Sequence, residues 1–245
     1  MKPILLCLHG WGGSQASFVE LRAALVGTDV EILTPDLPGF GTEPDPPEPW
    51  SVDEYADWVV RWLADRGFTA EMLAHRRFLL LGHSHGGRIA IKLTAGRMLP
   101  VHHLYLCGAA GIRRPRHFKR IVGLTLAKTG RFLLSVPGLR ALQPLGKKLL
   151  YQFVRVHDYE QASPVMRQTL IRVSAEDLRP FLPRIQVPTD LFWGTDDRMT
   201  PLRDGKLMHT LIEGSRFHTF RGVRHGVHRE RAGEIAQVIR RSLLR

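Results

Sequence analysis

No stretch of this chain reaches the ~18 uninterrupted apolar residues that a membrane-spanning helix needs, so none is expected. No internal repeat or low-complexity tract is visible. The opening Met1-Lys2-Pro3-Ile4-Leu5-Leu6-Cys7-Leu8-His9-Gly10 has only a short apolar run and no small-residue cleavage site after it, so it does not read as a signal peptide. Cysteine is scarce. Cys7 and Cys107 both fall in apolar, strand-like runs, and the simplest account is two buried free thiols in a reducing cytoplasm. Their spacing alone leaves a bridge between them open. The glycine-rich turn after the first apolar run lacks the G-x-G-x-x-G order and any acid placed for a ribose, which disfavours a dinucleotide fold. Acidic residues are missing altogether between Ile112 and Leu150.

What is present fits one larger α/β domain with an inserted subdomain: 245 residues, 44% hydrophobic, enough to bury a sizeable core. The alternation of short apolar runs with helical patterns predicts strands at Pro3 to Leu8, Val30 to Pro35, Phe78 to Gly82, His102 to Cys107, Thr189 to Gly194 and Phe217 to Phe220. Helices are expected from about Ser17, a plausible N-cap, to Val26, from a Ser51/Glu54 capping box onward, after Ser84, from Pro201 to Ile212, and from Arg229 to Leu244. Such alternation means a mostly parallel sheet covered on both faces. From Ile112 to about Pro183 the patterns are helical only. The expected division is therefore a core of residues 1–111 and 184–245 and a helical cap of residues 112–183 over the carboxyl ends of the strands, where ligands sit in open α/β sheets.

The chain is organised around Phe78-Leu79-Leu80-Leu81-Gly82-His83-Ser84-His85-Gly86-Gly87. A buried strand breaks into a helix through Gly82-His83-Ser84-His85-Gly86. At so sharp a turn, side chains at 82 and 86 would collide, so both must be small, and strain lifts the Ser84 hydroxyl clear of the sheet. A serine needs a base oriented by an acid. Asp196 and Asp197 follow the fifth strand, and Asp197 is favoured by its place ahead of Pro201. The loop Gly108 to Gly111 offers no carboxylate. His225 follows the last strand, with His228 as runner-up. His83 and His85 cannot easily fold back onto the hydroxyl and read as pocket or packing residues. Two oxyanion donors are expected from backbone N–H groups, one at His85 and one at Trp11 in the loop His9-Gly10-Trp11-Gly12-Gly13. Trp11, Phe40 and His83 are the expected substrate-contacting residues. No metal and no cofactor is called for.

Together His9-Gly10-Trp11-Gly12-Gly13, Asp36-Leu37-Pro38-Gly39-Phe40-Gly41, Gly82-His83-Ser84-His85-Gly86-Gly87, Trp193-Gly194-Thr195-Asp196-Asp197 with Pro201, and His225 with Glu230 resemble the motif series of the α/β-hydrolase superfamily. The likeness is to its serine esterase-like branch, with carboxylesterases, the pimeloyl-carrier-protein esterase and meta-cleavage-product hydrolases. The resemblance implies Ser84, Asp197 and His225 as nucleophile, acid and base. Serine at the elbow argues against haloalkane dehalogenases and epoxide hydrolases, which use aspartate there. Gly226 after the histidine and His83 before the serine depart from the meta-cleavage pattern, leaving carbon–carbon hydrolysis or a thioester or carrier-protein substrate as alternatives to a carboxylic ester. The family's usual β-hairpin ahead of the first parallel strand is missing, so a sheet of about six strands is expected.

Net charge is +12, from 35 Lys and Arg against 23 Asp and Glu. Ten of the basic residues, from Arg113 to Lys148, lie in the acid-free span 112–150, interleaved with apolar ones. They suit either a recognition surface for an anionic ester, carrier protein or lipid headgroup, or an amphipathic cap whose basic side faces water. Nucleic acid is not expected, because no binding motif accompanies the charge.

Overall fold

The computed structural model describes residues 2–113 and 162–244. Six strands, β1 Ile4–Leu8, β2 Glu31–Leu33, β3 Phe78–His83, β4 His103–Cys107, β5 Thr189–Gly194 and β6 Arg216–Phe220, form one sheet. Their order is β2-β1-β3-β4-β5-β6 and every pairing is parallel. The six expected strands are therefore those observed. β2 is shorter than its apolar pattern suggested, with three residues, as a strand with one neighbour can be.

Strand side chains alternate between faces, and the core divides accordingly. Ile4, Leu6, Leu8, Leu80, Leu104, Leu106, Leu191 and Trp193 pack on one face, beneath α2 (Val52–Ala64), α4 (His85–Ala95) and α6 (Leu202–Leu211). Leu5, Cys7, Leu79, Leu81, Tyr105, Cys107 and Phe192 pack on the other, beneath α1 (Val19–Ala24) and α8 (Ala232–Leu243). β1, β3, β4 and β5 are buried along their whole length, which is why their sequences read as continuous apolar runs rather than alternating ones. Cys7 and Cys107 are free, buried thiols, and burial pushes both well above the ordinary range for cysteine.

Helix starts follow local hydrogen bonding. Ser51 and Glu54 form the expected capping box of α2. The first helical segment is capped by Ser14 rather than Ser17: a 3-10 turn, Gln15–Phe18, precedes α1, and Ser17 answers the cap by accepting from the Ser14 N–H. Pro201 is the N-cap of α6, one position outside the helix. A short helix, α3 (Ala70–Ala74), capped by Thr69, was not expected from its weak apolar pattern. The closing helix is broken: α7 (Val227–Glu230) and α8 meet at Arg231, whose backbone is non-helical.

Of the region 112–183, the described part holds α5 (Pro164–Ala175) and a 3-10 segment, Arg179–Arg184, both helical as expected. Residues 114–161, including nine of the ten basic residues of the acid-free span, lie outside the described residues. α5 is tied to the core through Thr169, which accepts from the Trp50 N–H at 3.0 Å. Just beyond it, Glu176 pairs with buried Lys92 of α4, and Lys92 also pairs with Asp53 at 2.8 Å. Among the described residues no helix is long and apolar enough to cross a membrane.

Candidate active site

The order of strands reverses direction between β1 and β3, and in open α/β sheets the crevice outside the carboxyl ends at such a point is where ligands bind. β1 delivers His9-Gly10-Trp11 there, and β3 delivers Ser84.

Ser84 has φ 51° and ψ −110°, a left-handed conformation rare for a residue with a side chain. Crowding enforces it. A Cβ on Gly82 would lie 2.5 Å from the Gly86 carbonyl oxygen, and one on Gly86 would lie 2.1 Å from the Leu8 carbonyl oxygen. The small residues demanded by the sequence pattern are thus required by contact with backbone, which cannot yield. The Gly86 N–H donates to the His9 carbonyl at 3.0 Å, fastening the first loop to the elbow. A Cβ on Gly10 would lie 3.1 Å from Ser84 Cβ, so this glycine lets the loop press against the serine. Among the described residues, the N–H groups of Trp11 and His85 donate to no acceptor.

His9 holds the loop from behind. Its Nε2 accepts from the Leu37 N–H at 2.9 Å, so Nδ1 carries the proton and donates to the Gly10 carbonyl at 2.8 Å. Burial lowers its pKa and keeps the ring neutral. Asp36 fixes the following turn by accepting from Gln15 N–H at 2.6 Å and Thr42 N–H at 3.0 Å. That turn sets Phe40 edge-on to Trp11, with ring centres 4.9 Å apart.

Asp197 is buried whereas Asp196 is exposed, so the choice between the two follows from direction. Asp197 Oδ1 accepts from the N–H groups of Met199 and Thr200 at 2.8 and 2.9 Å. Its Oδ2 lies 2.7 Å from His225 Nδ1. Burial acts to raise its pKa, but the bonds from His225 and Thr200 outweigh that and hold it below the usual carboxylate range. The carboxylate is therefore ionised and fixes the tautomer of His225, with the proton on Nδ1 and a lone pair on Nε2. Thr200 was missed by sequence reasoning. Its hydroxyl lies 2.8 Å from Asp197 Oδ2 and 3.0 Å from the Gly108 carbonyl, between the acid and the end of β4. The signal was the short spacing Asp197-x-x-Thr200, which suits an aspartate that folds back on its own turn.

His225 Nε2 is enclosed and makes no hydrogen bond, so the expected contact with Ser84 is not formed here. Such bonds are often long before substrate engages. The ring is nonetheless placed beside the elbow, with its centre 4.8 Å from that of His83, the neighbour of Ser84. His83 Nε2 donates to the His225 carbonyl at 3.0 Å, so His83 holds the backbone of the loop that carries His225. Burial, followed by the charges of His228 and His225, holds the pKa of His83 well below the ordinary histidine value. The His228 ring packs against His83 with centres 3.8 Å apart and planes inclined by 34°, and meets Phe18 edge-on at 5.6 Å, which makes it a packing residue. His85 is boxed edge-on by Trp11 at 5.5 Å and Tyr55 at 4.8 Å, and burial lowers its pKa to about 3. Both of its ring nitrogens are enclosed and make no hydrogen bond.

Among the described residues no group of His, Cys, Asp and Glu is arranged to hold a metal ion. Comparison with known proteins bears on the family and the fold. An uncharacterized hydrolase, YugF, of Bacillus subtilis (strain 168) is 26% identical over 253 residues, covering 97% of this chain and 89% of that protein. Lipase 1 of Psychrobacter immobilis is 24% identical over 221 residues, 86% of this chain and 67% of the lipase. Among solved structures, an esterase (EaEST) from Exiguobacterium antarcticum superposes with a TM-score of 0.73 at 23% identity, covering 99% of this chain and 92% of the esterase, a likeness of fold. Residues 5–238 match the alpha/beta hydrolase family, and with that span covering nearly all of the sheet and its helices, the chain belongs to this family.

Proposed function

We propose that this protein is a serine hydrolase of carboxylic esters with small to medium acyl groups. The observation that carries the reading is the ionised Asp197 bonded at 2.7 Å to His225 Nδ1, on a ring set beside a serine held at a left-handed turn. In this reading His225 Nε2 takes the proton from Ser84 Oγ as that oxygen attacks the ester carbonyl. Asp197 stabilises the imidazolium that forms. The N–H groups of Trp11 and His85 receive the oxyanion, each such donor being worth ~3 kcal/mol of barrier. The tetrahedral adduct collapses as His225 returns the proton to the leaving alcohol. Water then attacks the acyl-serine by the same route and releases the acid. Trp11 and Phe40 wall the acyl side, and His83 sets the position of His225. In this reading the region 112–183, whose residues 114–161 lie outside the described residues, is the lid of the enzyme. The lipase and esterase relatives support ester chemistry.

A fluorophosphonate probe tests the reading. One labelled peptide containing Ser84 is expected, and Ser84→Ala should lose both the label and the hydrolysis of p-nitrophenyl esters. Folded protein that takes up no probe would refute it.

A further inference from the structure

The amino ends of the strands carry a second polar assembly that ester hydrolysis does not use. Cross-strand register sets Tyr105 of β4 opposite Asp190 of β5, and Asp190 opposite Arg216 of β6. Alternation along each strand adds His103 and His218 to the same face, the one covered by α8. Asp190 is wholly buried. It accepts from Arg216 Nε at 2.8 Å and Nη2 at 2.5 Å, from His103 Nε2 at 2.8 Å and from His218 Nε2 at 2.7 Å. Both carboxylate oxygens are thus fully engaged, and Arg216 is fixed in one orientation.

This cluster forms one wall of a cavity of about 220 Å³, open to solvent and closed opposite by Val238, Arg241 and Ser242 of α8. Arg77, just ahead of β3, joins the rim and is steadied by donating to the Leu243 carbonyl at 3.2 Å. Three arginines, Arg77, Arg216 and Arg241, line the cavity, and its acidic lining is the single residue Asp190. An excess of two positive charges remains even with every histidine neutral. Neutralising one buried aspartate requires one arginine, not three. Among the described residues Arg241 has no acidic partner. A concave wall with uncompensated, forked donors draws anions, and planar guanidinium groups match the oxygens of phosphate.

We propose that this cavity binds a phosphate dianion, free or as the head of a small phosphate monoester, through Arg241 and Arg77 with Arg216 set behind them by Asp190. The site stands at the opposite end of β3 from Ser84, roughly 20 Å away for a six-residue strand, and is independent of the ester chemistry.

The test is calorimetric titration of the full chain with inorganic phosphate at pH 8 and constant ionic strength, beside sodium chloride and phenyl phosphate. Saturable one-to-one binding of phosphate but not chloride is expected. Arg241→Ala, at an exposed position, should weaken it by roughly tenfold and leave ester hydrolysis in phosphate-free buffer at the wild-type rate. Tighter binding of phenyl phosphate would identify a monoester head as the ligand, and equal binding the free ion. Ring nitrogen resonances of His103 and His218 should move with saturation. Absence of saturable binding, an Arg241→Ala variant that binds as well as wild type, or movement confined to the resonances of His225 would overturn the proposal.

Discussion

Replacing Asp197 with asparagine separates orientation from bulk. The amide keeps an oxygen for the N–H groups of Met199 and Thr200, which lie 2.8 and 2.9 Å from Asp197 Oδ1. Its NH₂ then faces His225 Nδ1 across 2.7 Å, where the carboxylate of the native residue accepts. Two donors cannot share that contact, so the imidazole moves its proton to Nε2 and accepts at Nδ1. Nε2 then has no lone pair for the Ser84 proton. Loss of the base in this way costs about 10⁴ in rate, or ~5.5 kcal/mol of barrier. Folding should lose only ~1–2 kcal/mol, since the two contacts of Oδ2, with His225 and Thr200, weaken and no cavity opens. kcat/KM for p-nitrophenyl butyrate, measured beside urea unfolding, checks both numbers. KM should change little, because Asp197 is buried behind His225. A folded Asp197→Asn variant within tenfold of wild-type kcat/KM would refute the assignment of His225 as the base oriented by this carboxylate.

The other expectations concern strain, crowding and pH. Ser84→Gly removes a side chain from φ 51° and should raise stability by about 1 kcal/mol while abolishing activity, as read by thermal melting. An unchanged or lowered melting temperature would argue against strain at the elbow. Gly86→Ala sets a methyl 2.1 Å from the Leu8 carbonyl oxygen and should cost at least ~4 kcal/mol, seen as insoluble or molten protein on expression. Asp190 is pushed up by burial, but bonds from Arg216, His103 and His218 outweigh this and hold its carboxyl well below the usual range. A depressed folded value stabilises above the unfolded pKa of ~3.9 and is lost as pH falls below it. The stability gap between wild type and Asp190→Asn in urea should therefore narrow by about 1 kcal/mol between pH 7 and pH 3. A gap that stays constant would sink that account.

The six strands, the elbow and the loops bearing Asp197 and His225 were legible because each depends on local pattern: buried apolar runs, glycines bounded by backbone, an acid and a histidine after late strands. Where the sequence misled, the cause was tertiary or a matter of one hydrogen bond. Ser14 and Ser17 are both good caps, and only the geometry of the 3-10 turn shows which residue takes which part. The break at Arg231 falls in the charged stretch His228 to Arg231, ahead of the apolar stripe that begins at Ile235, where no glycine or proline marks it. The His83–His228 ring contact joins residues far apart in the chain, so neither ring announced that His228 was committed to packing. The Asp190 cluster was invisible for the same reason, although an aspartate inside the apolar run Thr189-Asp190-Leu191-Phe192-Trp193 hinted at a buried partner.

The two sulfhydryls, on β1 and β4 with β3 between them, are sealed on the face beneath α1 and α8 and give the protein a built-in reporter of opening. Wholly enclosed, neither can meet an alkylating reagent until the sheet itself parts from those helices. The rate at which iodoacetamide consumes them in native buffer then follows the population of the opened state when reclosing outpaces alkylation, and any ligand that slows it reports its own hold on the folded chain.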